Sequence, residues 1–142
     1  KYAIEPWQLI FEVTECSTFC NAEQGLHILR QLQKMGVRIA IDDFGTGYAS
    51  YARLKSVDAD ILKIDGDFIR NIVNNSLDYQ IVASICHLAR MKKMLVVAEY
   101  VETEEIRSAV HALGIDYVQG YLIGRPAPLE SLLEAEASTA DA

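Results

Sequence analysis

Acidic side chains at the ends of short apolar runs are the part of this sequence best suited to chemistry. The polar residues that end successive runs are Glu12 with Glu15, Asp42 with Asp43, Lys63 with Asp65, Glu99 with Glu102, and Gln119. Carboxylate oxygens are the preferred ligands of hard divalent cations, and Mg²⁺ in particular is usually bound together with substrate phosphates. Polar residues also simply begin loops, but five consecutive and mostly acidic endings favour a site. The pattern predicts a divalent-metal site for a phosphorylated substrate.

The adjacent acids Asp42 and Asp43 are the sharpest signal. Neighbours on a regular strand point to opposite faces. Gly45 and Gly47 follow this pair and tolerate positive φ, so the turn there can break the alternation and aim both carboxylates at one opening. Two cations held there would suit in-line displacement at phosphorus. The same pair could instead cap the turn by accepting hydrogen bonds from backbone N–H groups, and the pair alone leaves both interpretations open.

Three further side chains could act on a substrate. Lys63 could orient or help to deprotonate an attacking water, or it could form a structural salt bridge with Asp65 or another nearby acid. Glu99 could be a general base if it lies within hydrogen-bond reach of that water. Arg125, which precedes Pro126, could reach a phosphate or a base edge, or it could be an ordinary surface arginine.

The elements that must position these residues alternate along the chain. Short runs rich in Val and Ile predict buried strands at 9–13, 37–41, 61–64, 94–98 and 117–123. Amphipathic stretches predict helices at 25–35, 77–91 and 103–113. This order predicts an α/β fold with parallel strands and right-handed crossovers. Because parallel strands end at the same edge of a sheet, the polar endings should converge there.

Composition and charge narrow the possible partners. A chain of 142 residues with 51% hydrophobic and 23% charged residues is typical of a globular domain with one core. Its net charge of −7 argues against a DNA or RNA polymer as partner. No apolar run reaches the roughly 20 residues that span a bilayer, so we expect no membrane contact from this segment.

The cysteines and histidines do not indicate a metal site. Cys16, Cys20 and Cys86 have the spacing of neither a zinc site nor a redox pair. This spacing favours reduced thiols in a cytoplasmic protein. No two histidines are four residues apart, which argues against a histidine metal site.

Five motifs in series resemble one known family. They are Phe11-Glu12-Val13-Thr14-Glu15, Ile41-Asp42-Asp43-Phe44-Gly45-Thr46-Gly47-Tyr48, Leu62-Lys63-Ile64-Asp65, Val97-Ala98-Glu99-Tyr100-Val101-Glu102-Thr103 and Gln119-Gly120-Tyr121-Leu122. The chain resembles the C-terminal part of an EAL domain, a bacterial phosphodiesterase that hydrolyses cyclic di-GMP to linear pGpG. The resemblance assigns residues 1–130 to that domain. It leaves 131–142 as an acidic, Ala-rich tail that we expect to be frayed.

The resemblance implies a fold and a catalytic set. The fold would be a partial TIM-like (β/α) barrel of about five C-terminal βα units, using Mg²⁺ or Mn²⁺ in a two-metal site. Glu12, Asp42 and Asp43 would be metal ligands. Lys63 would position the hydrolytic water, and Glu99 is the candidate general base.

The resemblance also implies substrate and loop contacts. Glu102 would contact the guanine end of the ligand, Gln119 would complete the site, and Arg125 remains the third candidate for substrate binding. Glu15 resembles a glutamate that steadies the loop after the Asp-Asp pair, a loop that contributes to dimerisation and regulation in the family. Two residues depart from the family pattern, since Cys16 and Tyr100 stand where Ser and Gly are common. Both flank acidic positions without removing them.

The sequence lacks parts of an EAL domain, and their absence bears on activity and assembly. The Glu-Ala-Leu segment and a metal-binding Asn are missing, and five strands cannot close a barrel that takes about 250 residues. We therefore expect a piece of a larger signalling protein that is inactive alone and forms a homo-oligomer through its open edges. Sensor or GGDEF-type diguanylate cyclase domains would lie upstream, where a membrane anchor could also be found.

Three functions remain at this stage. The first is hydrolysis of cyclic di-GMP by the intact domain, which the catalytic residues present here favour. The second is a receptor domain that binds cyclic di-GMP without hydrolysis. The third, an unrelated carboxylate–metal α/β enzyme, is disfavoured because it leaves the series of motifs unexplained.

Overall fold

A parallel sheet of five strands organises the chain in a computed structural model, which describes residues 3–14, 22–45, 54–55, 57–128 and 130–131. The strands follow one another across the sheet in chain order, and each pairs in parallel with the next. Their bounds are β1 Ile10–Thr14, β2 Arg38–Phe44, β3 Ile61–Ile64, β4 Leu95–Ala98 and β5 Tyr117–Val118. The predicted α/β class with parallel strands is confirmed.

Helices connect the strands, and several of them begin at a residue whose side chain caps the helix. A 3₁₀ turn at Pro6–Gln8 precedes helices α1 Ala22–Lys34, α2 Gly66–Arg70, α3 Ser76–Met91 and α4 Glu104–Ala112. The Asn75 side chain caps α3 by accepting from the N–H of Leu77 at 2.9 Å, and Thr103 caps α4 by accepting from Ile106 at 3.3 Å. Such caps satisfy N–H groups that have no partner within the helix.

The core lies between the helices and one face of the sheet. It is formed by alternate strand residues such as Ile39, Leu62 and Val96 together with helix residues such as Val82 and Val110. The remaining strand positions face the opposite side of the sheet. They line a space of about 270 Å³ that includes Glu12, Ala40, Lys63, Val97 and Gln119. The polar members of this set lie toward the carboxyl ends of their strands, which is where a site is expected.

The sequence placed most element bounds within a few residues, with two errors. The strand predicted at 117–123 is wrong beyond Val118, because the chain turns after Gln119 and the Gly120 carbonyl accepts from the N–H of Ile123 at 3.0 Å. Helix α2 was not predicted, since five residues are too few for a helical period to be recognised. The remaining predicted strands and helices are confirmed.

The sheet is open at both edges among the residues that the structure describes. Strand β1 leaves Ile10 and Phe11 about half exposed, and β5 leaves Tyr117 more than half exposed. Apolar side chains on an unpaired edge favour association with further strands. None of the described helices combines the length and apolar character needed to cross a membrane. The predicted frayed tail lies outside the described residues, apart from Ser131, which is helical.

Candidate active site

The carboxyl ends of the strands are held together by backbone hydrogen bonds that continue the sheet beyond its last paired residues. Asp65 donates from its N–H to the Phe44 carbonyl at 3.4 Å, and Gln119 donates to Ala98 at 2.8 Å. Glu99 donates in the same way to the carbonyl of Ile64 at 3.3 Å. These bonds bring the polar strand endings to one edge.

Lys63 lies at the centre of this edge and is only 6% exposed. Its Nζ lies 2.8 Å from Asp42 Oδ1, 2.8 Å from Glu99 Oε1 and 3.1 Å from Glu12 Oε2. Burial alone would lower the pKa of this lysine, but the contacts with the three carboxylates outweigh burial and raise its pKa above the ordinary value. Lys63 is therefore charged and acts as a donor, which disfavours a role in deprotonating water.

The structural salt bridge with Asp65 that the sequence left open does not form. The carboxylate of Asp65 instead accepts from the N–H of Asp67 at 2.8 Å and caps helix α2. Lys63 pairs with acids from three other strand ends, one of them 51 positions away along the chain.

The backbone at Asp43 turns both adjacent acids toward the site. Asp43 has φ +54°, and the register between β2 and β3 shifts between Ile41 and Phe44. The break was predicted at the glycines, but it begins two residues before Gly45, at Asp43 itself. A left-handed backbone costs a non-glycine residue about 1–2 kcal/mol, and aspartate is among the residues that adopt it most readily. As a result, carboxylate oxygens of Asp42, Asp43 and Glu99 lie within 4.8 Å of one another.

These three carboxylates fit a divalent cation. Asp42 Oδ1 is buried, and the Nζ of Lys63 lies 2.8 Å from it. Burial, followed by the neighbouring Asp42 and Asp65 carboxylates, raises the pKa of Asp43. Burial also raises the pKa of Glu99, and the contact with Lys63 only partly opposes this. An all-oxygen set with uncompensated negative charge is the chemistry that Mg²⁺ and Mn²⁺ prefer.

A cleft of about 300 Å³ opens beside this cluster. It is lined by Asp43, Asp65, Glu99, Tyr100, Glu102, Gln119, Gly120 and Tyr121. The predicted substrate contacts Glu102 and Gln119 are thus brought to one cavity with Glu99. Arg125 borders it indirectly, because its guanidinium stacks 4.2 Å from the ring centroid of Tyr121. Glu15 and Cys16 lie outside the described residues.

Gly120 fixes the far wall of the cleft. A side chain there would collide with the backbone N and O of Val101. Val101 donates from its N–H to the Gln119 carbonyl at 3.0 Å, and its own carbonyl accepts from Leu122 at 3.1 Å. Sequence reasoning missed this role of Gly120 and also missed the two lining tyrosines. The Gln119-Gly120-Tyr121 motif was the available signal, since a glycine after a strand often marks close approach of two backbones.

Comparison with known proteins gives consistent matches. Residues 1–126 match the EAL domain family. The cyclic di-GMP phosphodiesterase PdeF of Escherichia coli K12 is 74% identical over 137 residues, which are 96% of this chain and 18% of PdeF. MucR of Pseudomonas aeruginosa, a bifunctional diguanylate cyclase/cyclic di-GMP phosphodiesterase, is 46% identical over 137 residues, or 96% of this chain and 20% of MucR. The chain therefore spans about a fifth of the length of these curated relatives.

Solved structures agree with this assignment. The PaMucR phosphodiesterase in complex with c-di-GMP superposes with a TM-score of 0.84 at 47% identity, over 91% of this chain and 52% of that one. The manganese/cy-diGMP complex of Klebsiella pneumoniae BlrP1 at pH 6 gives a TM-score of 0.83 at 35% identity, over 87% and 32% of the two chains.

Proposed function

This chain belongs to the EAL domain family, and from that membership we propose that it forms the carboxyl-terminal part of a domain that hydrolyses cyclic di-GMP to linear pGpG. The observation that carries the proposal is the convergence of Asp42, Asp43 and Glu99 beside the buried Lys63. The names of the relatives PdeF and MucR support the same activity.

The metal would be Mg²⁺ or Mn²⁺, in a two-metal site when the domain is complete. Asp42 and Asp43 would be ligands, and Glu99 lies close enough to share a cation with them. Glu12 would be a further ligand, and its carboxylate lies 3.1 Å from the Nζ of Lys63. A divalent cation supplies Lewis-acid stabilisation of the phosphodiester charge and activation of water.

The protein side chains have separate tasks in the proposed reaction. Lys63 holds Asp42 and Glu99 in place by charge and can donate a hydrogen bond to the oxygen of the attacking water. Glu99 lines the cleft and accepts a proton from that water as its oxygen bonds to phosphorus. The bond from phosphorus to the 3′ oxygen breaks, and the leaving oxygen takes up a proton from solvent and is released as a hydroxyl group. The product keeps its phosphate on the 5′ side, as linear pGpG requires.

The cleft would hold the rest of the ligand. Glu102 would contact a guanine and Gln119 would complete the site, because both line the cavity next to Glu99. Arg125 would reach a phosphate or base edge from its position on the ring of Tyr121. Glu15 would steady the loop after Asp43.

The domain organisation follows from the same family assignment. Residues 1–130 would belong to the EAL domain, and 131–142 would be a tail. We propose that sensor or diguanylate cyclase domains lie upstream, which the similarity to the bifunctional MucR supports. Association through the exposed edge strands β1 and β5 would make the protein a homo-oligomer.

The test is turnover of cyclic di-GMP by the complete protein with Mg²⁺ or Mn²⁺, comparing wild type with Asp42→Asn. Loss of a metal ligand removes water activation and charge neutralisation, which are each worth several kcal/mol. We therefore expect at least a thousandfold loss of turnover. The protein should still fold, because Lys63 keeps the carboxylates of Glu12 and Glu99 as partners when Asp42 is neutralised.

Asp58→Asn is the matched control, because Asp58 is exposed. It should keep normal turnover and stability. Near-normal turnover of Asp42→Asn, or its unfolding, would make Asp42 a structural residue and contradict the proposal. Binding of cyclic di-GMP by wild type without any hydrolysis would support the receptor function instead.

A further inference from the structure

Tyr100 is an exposed aromatic residue in an unusual backbone conformation beside the proposed site. It lies between the buried residues Glu99 and Val101, yet it is 46% exposed and lines the cleft. Its φ of +54° is in the left-handed region, which bulky residues rarely adopt. The EAL resemblance places Gly at this position, and Gly has no such restriction. Because Gly would adopt this backbone without strain, the presence of a tyrosine here suggests a role for its ring.

The ring of Tyr100 is held on one side by helix α2. A Cβ placed on Gly66 would lie 2.6 Å from Cγ of Tyr100, so the ring rests directly on this glycine. The guanidinium carbon of Arg70 lies 4.0 Å from the ring centroid. Gly66 and Arg70 are one helical turn apart and therefore lie on the same face of α2. Neither Gly66 nor Arg70 is among the residues that line the cleft, whereas Tyr100 is, so part of the ring surface is left open to the cleft.

We propose that the open surface of the Tyr100 ring is a stacking platform for a purine base of the cyclic dinucleotide. The inference rests on the proposed function, because it assigns one contact of the proposed substrate. An aromatic ring that is partly packed and partly exposed accepts a flat base without further rearrangement. The Arg70 cation over the ring draws electron density from the open surface, which favours stacking with an electron-rich purine. Glu102 and Gln119 line the same cavity and offer polar groups to the base edge.

Tyr100 would be a binding residue that determines affinity rather than rate. Stacking holds the base equally in the bound substrate and in the transition state, so its loss should raise KM and leave kcat unchanged. A ring that merely packs on α2 would instead affect the melting temperature and leave KM unchanged. Measuring KM, kcat and the melting temperature therefore separates these two roles.

The test uses the complete protein and three variants. Tyr100→Asn and Tyr100→Gly both tolerate the left-handed backbone but remove the ring, and Tyr100→Phe keeps the ring as the matched control. We expect KM for cyclic di-GMP to rise about tenfold or more in the Asn and Gly variants, with kcat within about threefold of wild type. The Phe variant should match wild type.

A second measurement reports stacking directly. A cyclic dinucleotide with 2-aminopurine in place of one guanine should lose fluorescence on binding to wild type and to Tyr100→Phe, and lose less on binding to Tyr100→Asn. If wild type neither binds nor hydrolyses cyclic di-GMP, the proposed function itself fails. If wild type hydrolyses it and both ring-free variants keep a normal KM, only the stacking role is overturned. Unfolding of both variants would also overturn it, since the ring would then serve the fold.

Discussion

The two ends of the sheet use aspartate in opposite ways. At the amino end, Asp60 precedes β3 and its Oδ2 accepts from the N–H of Ile39 on the neighbouring β2 at 2.8 Å. Asp116 precedes β5 and accepts in the same way from Val96 of β4, also at 2.8 Å. Both aspartates also donate from their own N–H to the carbonyl of that same residue. The amino end therefore repeats one strand-joining contact.

The carboxyl end concentrates charge instead of dispersing it. Four carboxylates, those of Glu12, Asp42, Asp43 and Glu99, gather around the buried ammonium group of Lys63. Acids at the amino end each satisfy a backbone N–H group. At the carboxyl end, burial and then the neighbouring carboxylates raise the pKa of Asp43 and of Glu99. One end stabilises the fold and the other end holds unbalanced charge for a cation, as expected of a (β/α) barrel.

Removing the Lys63 side chain should have the largest effect on stability and turnover. Lys63→Ala leaves the carboxylates of Glu12, Asp42 and Glu99 without their shared counter-charge, and breaking a buried ion pair costs about 3–5 kcal/mol. We expect a loss of about 3 kcal/mol of stability in metal-free buffer and a large loss of turnover. Mn²⁺ should still bind and restore part of the stability, since ligand binding favours the folded state.

Melting curves with EDTA and with Mn²⁺ measure the effect on stability, and a cyclic di-GMP assay measures the rate. The exposed Lys34→Ala is the control and should behave as wild type. A Lys63→Ala protein with normal metal-free stability would show that the carboxylates at the carboxyl end do not need Lys63 to offset their mutual repulsion.

A substitution at the amino end should lower stability without affecting turnover. Asp60→Ala leaves the buried N–H of Ile39 without the carboxylate that it now donates to. An unsatisfied buried donor costs about 1–3 kcal/mol, so the free energy of unfolding should fall by that amount. Turnover per folded molecule should stay normal. Denaturant unfolding measures the change, with the exposed Asp58→Ala as control. Lost turnover at unchanged stability would contradict the separation of the two ends.

The sequence predicted the convergence of polar strand endings because parallel topology alone dictates it. It predicted β3 to the residue, since the run Ile61–Ile64 is short and uniformly apolar apart from Lys63. It could not choose a role for Lys63, because that role depends on acids from distant strands, including one 51 positions away. It also missed the strand-joining role of Asp60 and Asp116, because an aspartate before a strand resembles any polar loop residue.

Backbone geometry accounts for the other sequence-level errors. The left-handed conformation of Asp43 and Tyr100 leaves no mark in hydrophobic periodicity, so neither break was located from the pattern. The end of β5 depends on contact between Gly120 and the backbone of Val101, a residue from the preceding βα unit. The end of β5 therefore depends on a contact between two βα units, and the sequence of one segment does not encode such a contact.

The prediction with the smallest consequence for function concerns the reactivity of Cys86, whose thiol is buried in α3. Burial raises the pKa of this thiol, Arg90 partly opposes the shift, and the Asp116 carboxylate adds to it. The thiolate fraction at pH 8 is therefore lower than for an exposed cysteine, and labelling should accelerate as the pH rises. We expect iodoacetamide to label Cys86 at least about tenfold more slowly in the folded protein than in urea.

Peptide mass spectrometry separates Cys86 from Cys16 and Cys20 and follows each rate. Asp60→Ala should accelerate labelling of Cys86, because it weakens the sheet on which α3 packs, whereas Asp42→Asn should not. Equal acceleration by both substitutions would mean that the two ends of the sheet are not energetically distinct.

Anomalous scattering from crystals of the complete domain grown with Mn²⁺ would locate the metal site directly. We expect a manganese peak bound by carboxylate oxygens of Asp42 and Asp43, close to Glu99. The peak should disappear in Asp42→Asn and persist in Asp58→Asn. Absence of a peak at this cluster in wild type, with cyclic di-GMP nevertheless hydrolysed at the normal rate, would contradict the central claim that these acids form the metal site.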